Sequence, residues 1–188
     1  MIKILAFSGS ARANSFNQMT VNAIVEFCTG EVTHLNLRDL ALPIYDGDLE
    51  DRSGLPESAK ALRTLIKTHD ALVIGCPEYN GFMTPLLLNA IDWASRSEQT
   101  SPDTSIFKDK LVLICSTSPG ALSGMRAASH LKTLLGGIGM LVLPDLFAIP
   151  GSHKAFDEQG RLVDEAQQLR ARQIALRLEM FTTKLQQP

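Results

Sequence analysis

Short apolar segments alternate with longer amphipathic segments along the whole chain. The apolar segments have the length of strands, and some, such as Leu72-Val73-Ile74, contain consecutive apolar residues without alternation. Such runs are typical of strands that are buried on both faces of a parallel sheet. The pattern predicts five strands, at Ile2–Phe7, Val32–Leu37, Ala71–Gly75, Leu111–Ser116 and Met140–Leu143.

Five segments with apolar residues at helical spacing lie between and after these strands. Two of them have strong start signals. Ser15 stands three positions before Gln18, as in a capping box, and Thr84 precedes Pro85. The helices are predicted to begin near Ser15, Pro56, Thr84, Ser123 and Asp164. Alternating strands and helices predict an open, doubly wound α/β sheet with helices on both faces, in a single domain over residues 1–188.

The third predicted helix has almost no polar face. Its apolar residues include Leu86–Leu88, Ile91 and Trp93, which point to more than one side of the helix. The sheet can cover only one of these sides. A deeply buried helix and an interface between copies of the chain, in a homodimer or homotetramer, both remain open. The segment 38–55 has no clear secondary-structure pattern and could cap a site or reach a neighbouring subunit.

Composition and charge exclude several classes of protein. The chain has 188 residues and a net charge of -2, so we expect neither a nucleic-acid partner nor an anionic membrane surface. Its three cysteines show no Cys-x-x-Cys spacing, and its four histidines form no ligand pair. No apolar segment is long enough for membrane insertion. We therefore expect a metal-free cytoplasmic protein without a disulfide framework.

The loop after the first strand, Ser8–Ser15, has the composition of a phosphate site. It combines serine hydroxyls with the guanidinium of Arg12, and it leads into the N-terminus of a helix. Hydroxyls, helix N-terminal N–H groups and a fixed positive charge are the groups that bind a phosphate dianion. Taken alone, the loop also fits a polar turn with a solvated arginine, and we favour the phosphate site.

Two further loops are expected at the same edge of the sheet, because ligands of doubly wound folds bind at the carboxyl ends of the strands. The loop Pro77–Thr84 offers Tyr79 as an aromatic wall, Gly81 for close approach, and Glu78 and Asn80 as polar groups. The loop 116–124 contains no aromatic residue. The three loops together predict a phosphate at one end and a flat ring whose second face stays open, although each loop alone could be an ordinary turn.

Three separated blocks of this chain resemble one family. They are Gly9-Ser10-x-Arg12-x-x-Ser15-x-Asn17, then Pro77-Glu78-Tyr79-Asn80 with Asn89-Ala90-Ile91-Asp92-Trp93, and Ser116-x-Ser118-Pro119-Gly120 with Gly124 and Arg126. The chain resembles the NADPH-dependent FMN reductase family of flavodoxin-like quinone, azo-dye and chromate reductases. It departs from the family's pattern at Leu86 and Leu88, where that family often has glycine and lysine.

The resemblance implies a flavodoxin-like five-stranded parallel sheet of order 2-1-3-4-5, FMN as cofactor and NADPH or NADH as co-substrate. It also implies a small-molecule electron acceptor. No side chain is assigned a catalytic role, because the flavin carries the redox chemistry. The residues to which the resemblance assigns cofactor binding are Ser10, Arg12, Ser15, Phe16, Asn17, Pro77, Glu78, Tyr79, Asn80, Gly81, Ser116, Ser118, Pro119 and Gly120.

A flavodoxin-type electron carrier is the alternative that remains. Such carriers sandwich the flavin between aromatic residues and are strongly acidic, whereas loop 116–124 lacks an aromatic residue and the net charge is only -2. A low-molecular-weight tyrosine phosphatase is excluded, because no cysteine has an arginine six positions later. The Gly-x-Gly-x-x-Gly fingerprint of nicotinamide dehydrogenases is also absent.

Overall fold

The computed structural model describes residues 1–187, which form a parallel sheet with helices on both faces. The strands are β1 Lys3–Ser8, β2 Glu31–Asn36, β3 Ala71–Gly75, β4 Glu78–Tyr79, β5 Phe82–Met83, β6 Leu111–Thr117 and β7 Leu141–Ile149. The helices are α1 Phe16–Val25, α2 Gly47–Ser53, α3 Glu57–Thr68, α4 Pro85–Ala94, α5 Met125–Gly137, α6 Ser152–Ala155 and α7 Glu165–Leu185, with a 3-10 turn at Leu37–Leu40.

The main sheet has the order β2-β1-β3-β6-β7, and every neighbouring pair is parallel. With the short β4–β5 hairpin set aside, this is the predicted order 2-1-3-4-5, and the predicted fold class is confirmed. Each central strand is apolar on both faces. In β1, Ile4 and Ala6 pack toward α1 and α7, while Leu5 and Phe7 pack toward α3, α4 and α5. This double burial explains why the strand sequences do not alternate.

The last strand is longer than predicted. The prediction ended at Leu143, but β7 continues through Pro144 to Ile149. Proline lacks an N–H donor, so it is tolerated in a strand that pairs on one side only. Strand β7 is such an edge strand, and its pairing with β6 shifts register between Val112 and Ile114.

The segment 41–55 packs against α4 and covers part of its second apolar side. The indole Nε1 of Trp93 donates a hydrogen bond of 2.7 Å to the carbonyl of Pro43, and Asn89 Nδ2 donates to the same oxygen at 2.9 Å. The rings of Tyr45 and Trp93 meet edge to face, with centroids 5.0 Å apart. Residues of the same chain therefore cover part of the α4 surface for which the sequence also allowed an interface with a second copy. The segment also contains α2, a helix that the sequence pattern did not predict.

A buried ion pair holds this segment in place. The carboxylate of Glu50 is 1% exposed and accepts hydrogen bonds of 2.9 Å from Arg96 Nε and 3.0 Å from the Tyr45 hydroxyl. Arg96 Nη2 also donates to the carbonyl of Thr100. Because each charged group has partners, the pair is tolerated in the interior, but removal of one partner leaves the other charge without compensation.

All three cysteines are free thiols. Burial, with the negative charge of Glu78 as a smaller cause, raises the pKa of Cys76 to about 12. Burial likewise raises the pKa of Cys28 to about 12, with a further contribution from Glu179. Both are protonated near neutral pH and are poor nucleophiles. Within residues 1–187, no group of histidine, cysteine and acidic side chains could hold a metal ion, and no helix is long and apolar enough to cross a bilayer.

We predict that Glu50→Ala lowers the free energy of unfolding by about 3 kcal/mol, the low end of the range for a buried pair, because it leaves the partly buried Arg96 without a counter-ion. Urea unfolding followed by circular dichroism measures this loss. Asp48→Ala is the control in the same helix, since Asp48 is exposed, and we expect it to cost less than about 1 kcal/mol. Equal losses in the two variants would contradict the importance of the buried pair.

Candidate functional site

The three predicted loops meet at the carboxyl edge of the sheet, and backbone contacts join them. The Gly9 N–H donates to the carbonyl of Gly75 at 2.9 Å, which ties the first loop to the end of β3. The Thr84 hydroxyl, the N-cap of α4, donates to the carbonyl of Gly9 at 2.5 Å. These two hydrogen bonds of Gly9 therefore hold the first loop against the end of β3 and against the N-terminus of α4, where the second loop ends.

Two glycines permit this close approach. A Cβ at Gly9 would lie 2.7 Å from the Cβ of Leu87 on α4. A Cβ at Gly75 would lie 2.9 Å from both the Asn17 carbonyl oxygen and Val21 Cγ2 on α1. Both helices thus pack directly on the backbone at the ends of β1 and β3, where a larger residue would push them away.

The first loop leaves its charged side chain free. Ser15 caps α1 by accepting a hydrogen bond from the Gln18 N–H at 3.3 Å, as predicted. Ser10 Oγ accepts from the Arg12 N–H at 3.2 Å, which shapes the loop. The Arg12 side chain is exposed and forms no ion pair within residues 1–187. The loop therefore presents hydroxyls, a helix N-terminus and an uncompensated guanidinium, which are the groups that a phosphate requires.

Asn17 has a structural partner that its sequence context did not indicate. Its side chain is buried, its Nδ2 donates to the Thr117 carbonyl at 3.1 Å, and its Oδ1 accepts from the Thr117 N–H at 3.1 Å. The amide thereby ties the first loop to the third. Phe16, beside it, packs its ring against Phe156, with centroids 6.1 Å apart and planes inclined by 15°.

The second loop is a β-hairpin, which the sequence indicated only as a turn. Asn80 and Gly81 join β4 to β5 with positive φ angles of 53° and 81°. Two successive positive φ angles characterise the type I′ turn, for which Asn-Gly is the preferred sequence. Pro77 is buried at its base, whereas Tyr79 is 47% exposed. The Tyr79 ring is thus available as the predicted aromatic wall.

Glu78 binds the N-terminus of α5. Its carboxylate accepts hydrogen bonds from Arg126 Nε at 2.7 Å, from Arg126 Nη2, and from the Ala127 N–H at 3.3 Å. Burial raises the pKa of Glu78, but these hydrogen bonds and the guanidinium charge outweigh it and hold the pKa below its ordinary value. The carboxylate is therefore ionised and already satisfied, so it connects the second loop with the helix that follows the third.

The third loop contains a buried hydroxyl without a partner. Ser116 is fully buried at the end of β6, and its Oγ makes no hydrogen bond within the part of the chain that the structure describes. A Cβ at Gly124 would lie 3.2 Å from the Ser116 Cβ, so the loop folds closely over this residue. Ser118 Oγ donates to the Gly120 carbonyl at 3.3 Å, and both Pro119 and Gly120 are exposed.

The donor set fits a planar molecule that carries a phosphate, such as FMN. Arg12 supplies an uncompensated charge, Tyr79 an exposed ring, and Ser116 a buried hydroxyl that lacks a partner. Buried polar groups normally have hydrogen-bond partners, so an orphaned hydroxyl at the loop cluster is consistent with a ligand group. Five of the sequence-predicted residues have hydrogen-bond partners within residues 1–187 for their side chains, namely Ser10, Ser15, Asn17, Glu78 and Ser118.

The known proteins that this chain is similar to are named as reductases or oxidoreductases. The model of the family described as NADPH-dependent FMN reductase matches residues 2–154. An NAD(P)H-dependent FMN reductase of Pseudomonas aeruginosa is 34% identical over 185 residues, which cover 94% of this chain and 96% of that protein. An NADPH:quinone oxidoreductase of Arabidopsis thaliana is 33% identical, with coverage of 99% and 94%. The flavoenzyme FerB of Paracoccus denitrificans, an NAD(P)H:(acceptor) oxidoreductase, superimposes with a TM-score of 0.82 at 26% identity, over 98% of each chain.

We predict that the stabilising effect of Glu78 depends on pH. Because its folded-state pKa is lowered, its ionised form adds stability above the unfolded-state pKa of about 4.3, and this contribution is lost as the pH falls through the folded-state pKa. At pH 7, Glu78→Gln should therefore cost about 1–3 kcal/mol, toward the low end because Arg126 is exposed to solvent.

Urea unfolding of the wild type and of Glu78→Gln, at neutral and at acidic pH, tests this expectation. The difference between the two proteins should shrink below pH of about 4. Glu98→Gln provides the matched control, since Glu98 is exposed and has no hydrogen-bonded partner within residues 1–187. A pH-independent difference for Glu78→Gln would show that the carboxylate charge is unimportant.

Proposed function

The chain belongs to the NADPH-dependent FMN reductase family, and from this we propose that it holds FMN and uses NAD(P)H to reduce quinones or similar acceptors. The observation that carries the proposal is the cluster of three loops with an uncompensated guanidinium, an exposed tyrosine ring and an orphaned hydroxyl. These are the kinds of group that bind a phosphate and a planar ring.

We assign the phosphate of FMN to the first loop, through Ser10, Arg12 and Ser15. The ring system is assigned to the hairpin, where Tyr79 forms a wall and Gly81 permits close approach of the backbone. Ser116, with Ser118 and Gly120, borders the cofactor from the third loop. Asn17 and Glu78 act as positioning residues, because their side chains hold Thr117 and Arg126.

FMN held by these loops would supply the redox chemistry between the nicotinamide and the acceptor. The protein then needs no nucleophile and no general acid or base. Its residues contribute by orienting the two reactants, which requires an approach of about 3–3.5 Å. Loop 116–124 has no aromatic residue that could cover the second face of the ring. One open face would serve both substrates in turn, so we propose ping-pong kinetics and a broad range of acceptors.

The acceptor class follows from the open face. An open ring face beside Tyr79 would favour flat molecules such as quinones and azo compounds, and chromate and free flavin are further candidates. Curated relatives are named as quinone oxidoreductases, which favours quinones. Assembly as a homodimer or homotetramer and a cytoplasmic location remain part of the proposal. An electron carrier without nicotinamide chemistry is disfavoured by the family membership and by the missing second aromatic wall.

The visible absorption spectrum of the purified protein, recorded before and after anaerobic addition of NADPH, tests the proposed function. We expect a flavin spectrum that bleaches with NADPH or NADH and returns when a quinone is added. A flavin that neither nucleotide bleaches would support the electron-carrier alternative. Absence of flavin, even after incubation with FMN, would refute the cofactor assignment.

We predict that Arg12→Ala weakens FMN binding by about 1.5–3 kcal/mol, or about 10- to 150-fold in Kd, because a charged hydrogen bond to the phosphate is lost. Fluorescence titration of the flavin-free protein with FMN measures the change. Arg172→Ala serves as control, since Arg172 is exposed on α7 and lies outside the three loops. An unchanged Kd for Arg12→Ala would move the phosphate away from the first loop.

A further inference from the structure

A groove runs from the first loop along α1. Its inner part, of about 430 Å³, is lined by the first loop and by the end of β2, including His34 and Arg38. Its outer part, of about 650 Å³, follows α1 to the loop 157–161. The parts form one groove, because both are lined by Ala13, Ser15, Gln18, Asn22 and His34. Neither part includes a residue of the hairpin or of the third loop.

The inner part carries a local excess of positive charge. Arg12 and Arg38 line it together with a single carboxylate, that of Asp39. None of these three side chains forms an ion pair within residues 1–187, although the chain as a whole has a net charge of -2. Arg38 Nη1 makes one long hydrogen bond of 3.4 Å, to the Ala11 carbonyl, so most of its donors are available. One phosphate on the first loop would use Arg12 and leave Arg38 for a second anionic group.

The outer part has the opposite character. Glu26 and Glu158 line it, and its one arginine, Arg161, is paired with Asp157 at 2.9 Å. These carboxylates repel a phosphate. A phosphorylated adenosine would therefore place its phosphate groups in the inner part, near Arg38, and its uncharged base along α1.

The stretch between the two parts offers the groups that bind a purine. Gln18 Nε2 donates to Asn22 Oδ1 at 3.0 Å, an arrangement that leaves Gln18 Oε1 and Asn22 Nδ2 available to a ligand. Side-chain amides of this kind pair with the donor and acceptor atoms on the edge of adenine. Met19 and Ala23 line the adjoining wall with apolar surface that suits the face of the base.

We infer that this groove binds the phosphate-bearing adenosine end of the nicotinamide dinucleotide and that Arg38 favours NADPH over NADH. The inference rests on the proposed function, which supplies the dinucleotide as co-substrate. Arg38 follows the second strand of the sheet by two residues. Its planar guanidinium carries the paired N–H donors that bind a phosphate group. Arg38 is therefore placed to read the group that distinguishes the two nucleotides.

Calorimetric titration with adenosine 2′,5′-bisphosphate tests this assignment on the FMN-loaded protein and on the flavin-free protein. Arg38→Ala should raise the Kd of this probe about tenfold, while Arg38→Lys, which keeps the charge, should retain most of the affinity. In steady-state kinetics with a quinone, the ratio of kcat/KM for NADPH to that for NADH should fall by a similar factor in Arg38→Ala. Arg52→Ala is the matched control, since Arg52 is exposed and outside the groove.

Three results would overturn the inference. The first is an Arg38→Ala variant whose probe Kd and kinetic ratio equal those of the Arg52→Ala control. The second is an equally large loss of FMN affinity in Arg38→Ala, which would show that the contact with Ala11 merely holds the first loop. The third is FAD as the flavin released from the protein, with less of it in Arg38→Ala, since the groove would then hold the adenosine of the flavin itself.

The same experiments distinguish a wrong assignment of the groove from a wrong proposed function. If NADPH bleaches the flavin but Arg38 affects neither the probe nor the kinetic ratio, the proposed function stands and the groove assignment is wrong. If the probe binds in an Arg38-dependent way while no flavin is reduced, the adenosine site stands and the redox function is wrong.

Discussion

The close approach of two helices to bare backbone at the carboxyl edge of the sheet is the constraint on which the site depends. Helix α4 packs on Gly9 and helix α1 packs on Gly75, at distances that leave no room for a side chain. This approach allows Thr84 to bond the Gly9 carbonyl and Gly9 to bond Gly75. The first loop and the hairpin acquire their relative positions from these contacts, before any ligand is present.

Some polar side chains of the site hold the loops together, and others, such as that of Arg12, are exposed and available to a ligand. Asn17 holds the third loop through Thr117, and Glu78 holds helix α5 through Arg126 and Ala127. Both side chains are taken up by these contacts. Binding groups that are held by such support need little reorganisation when a ligand arrives, which favours affinity. These supporting bonds show that residues of the motif also hold the loops together.

The segment between β2 and α3 packs on the outer side of helix α4, a contact that the apolar composition of the helix did not predict. An apolar helix beside a sheet needs cover on its outer side, and Trp93 and Tyr45 provide it through the chain's own residues 41–55. The buried Glu50–Arg96 pair anchors that cover. Assembly of copies is therefore not required to bury the side of the helix that carries Trp93, whereas Leu86 and Leu88 stay partly exposed.

The sequence by itself determined the five main strands, the three loops and the helix caps at Ser15 and Thr84, because these depend on local apolar periodicity and on residues close in the chain. The order of the strands was indicated only by the family resemblance. The sequence also indicated the Asn-Gly turn. Only the tertiary structure decided which polar groups pair with one another. Asn17 and Thr117 are 100 positions apart, and Glu78 and Arg126 are 48 apart. No local pattern records such partners, because they are selected by packing at the sheet edge. For the same reason the sequence revealed neither these two contacts nor the groove at Arg38.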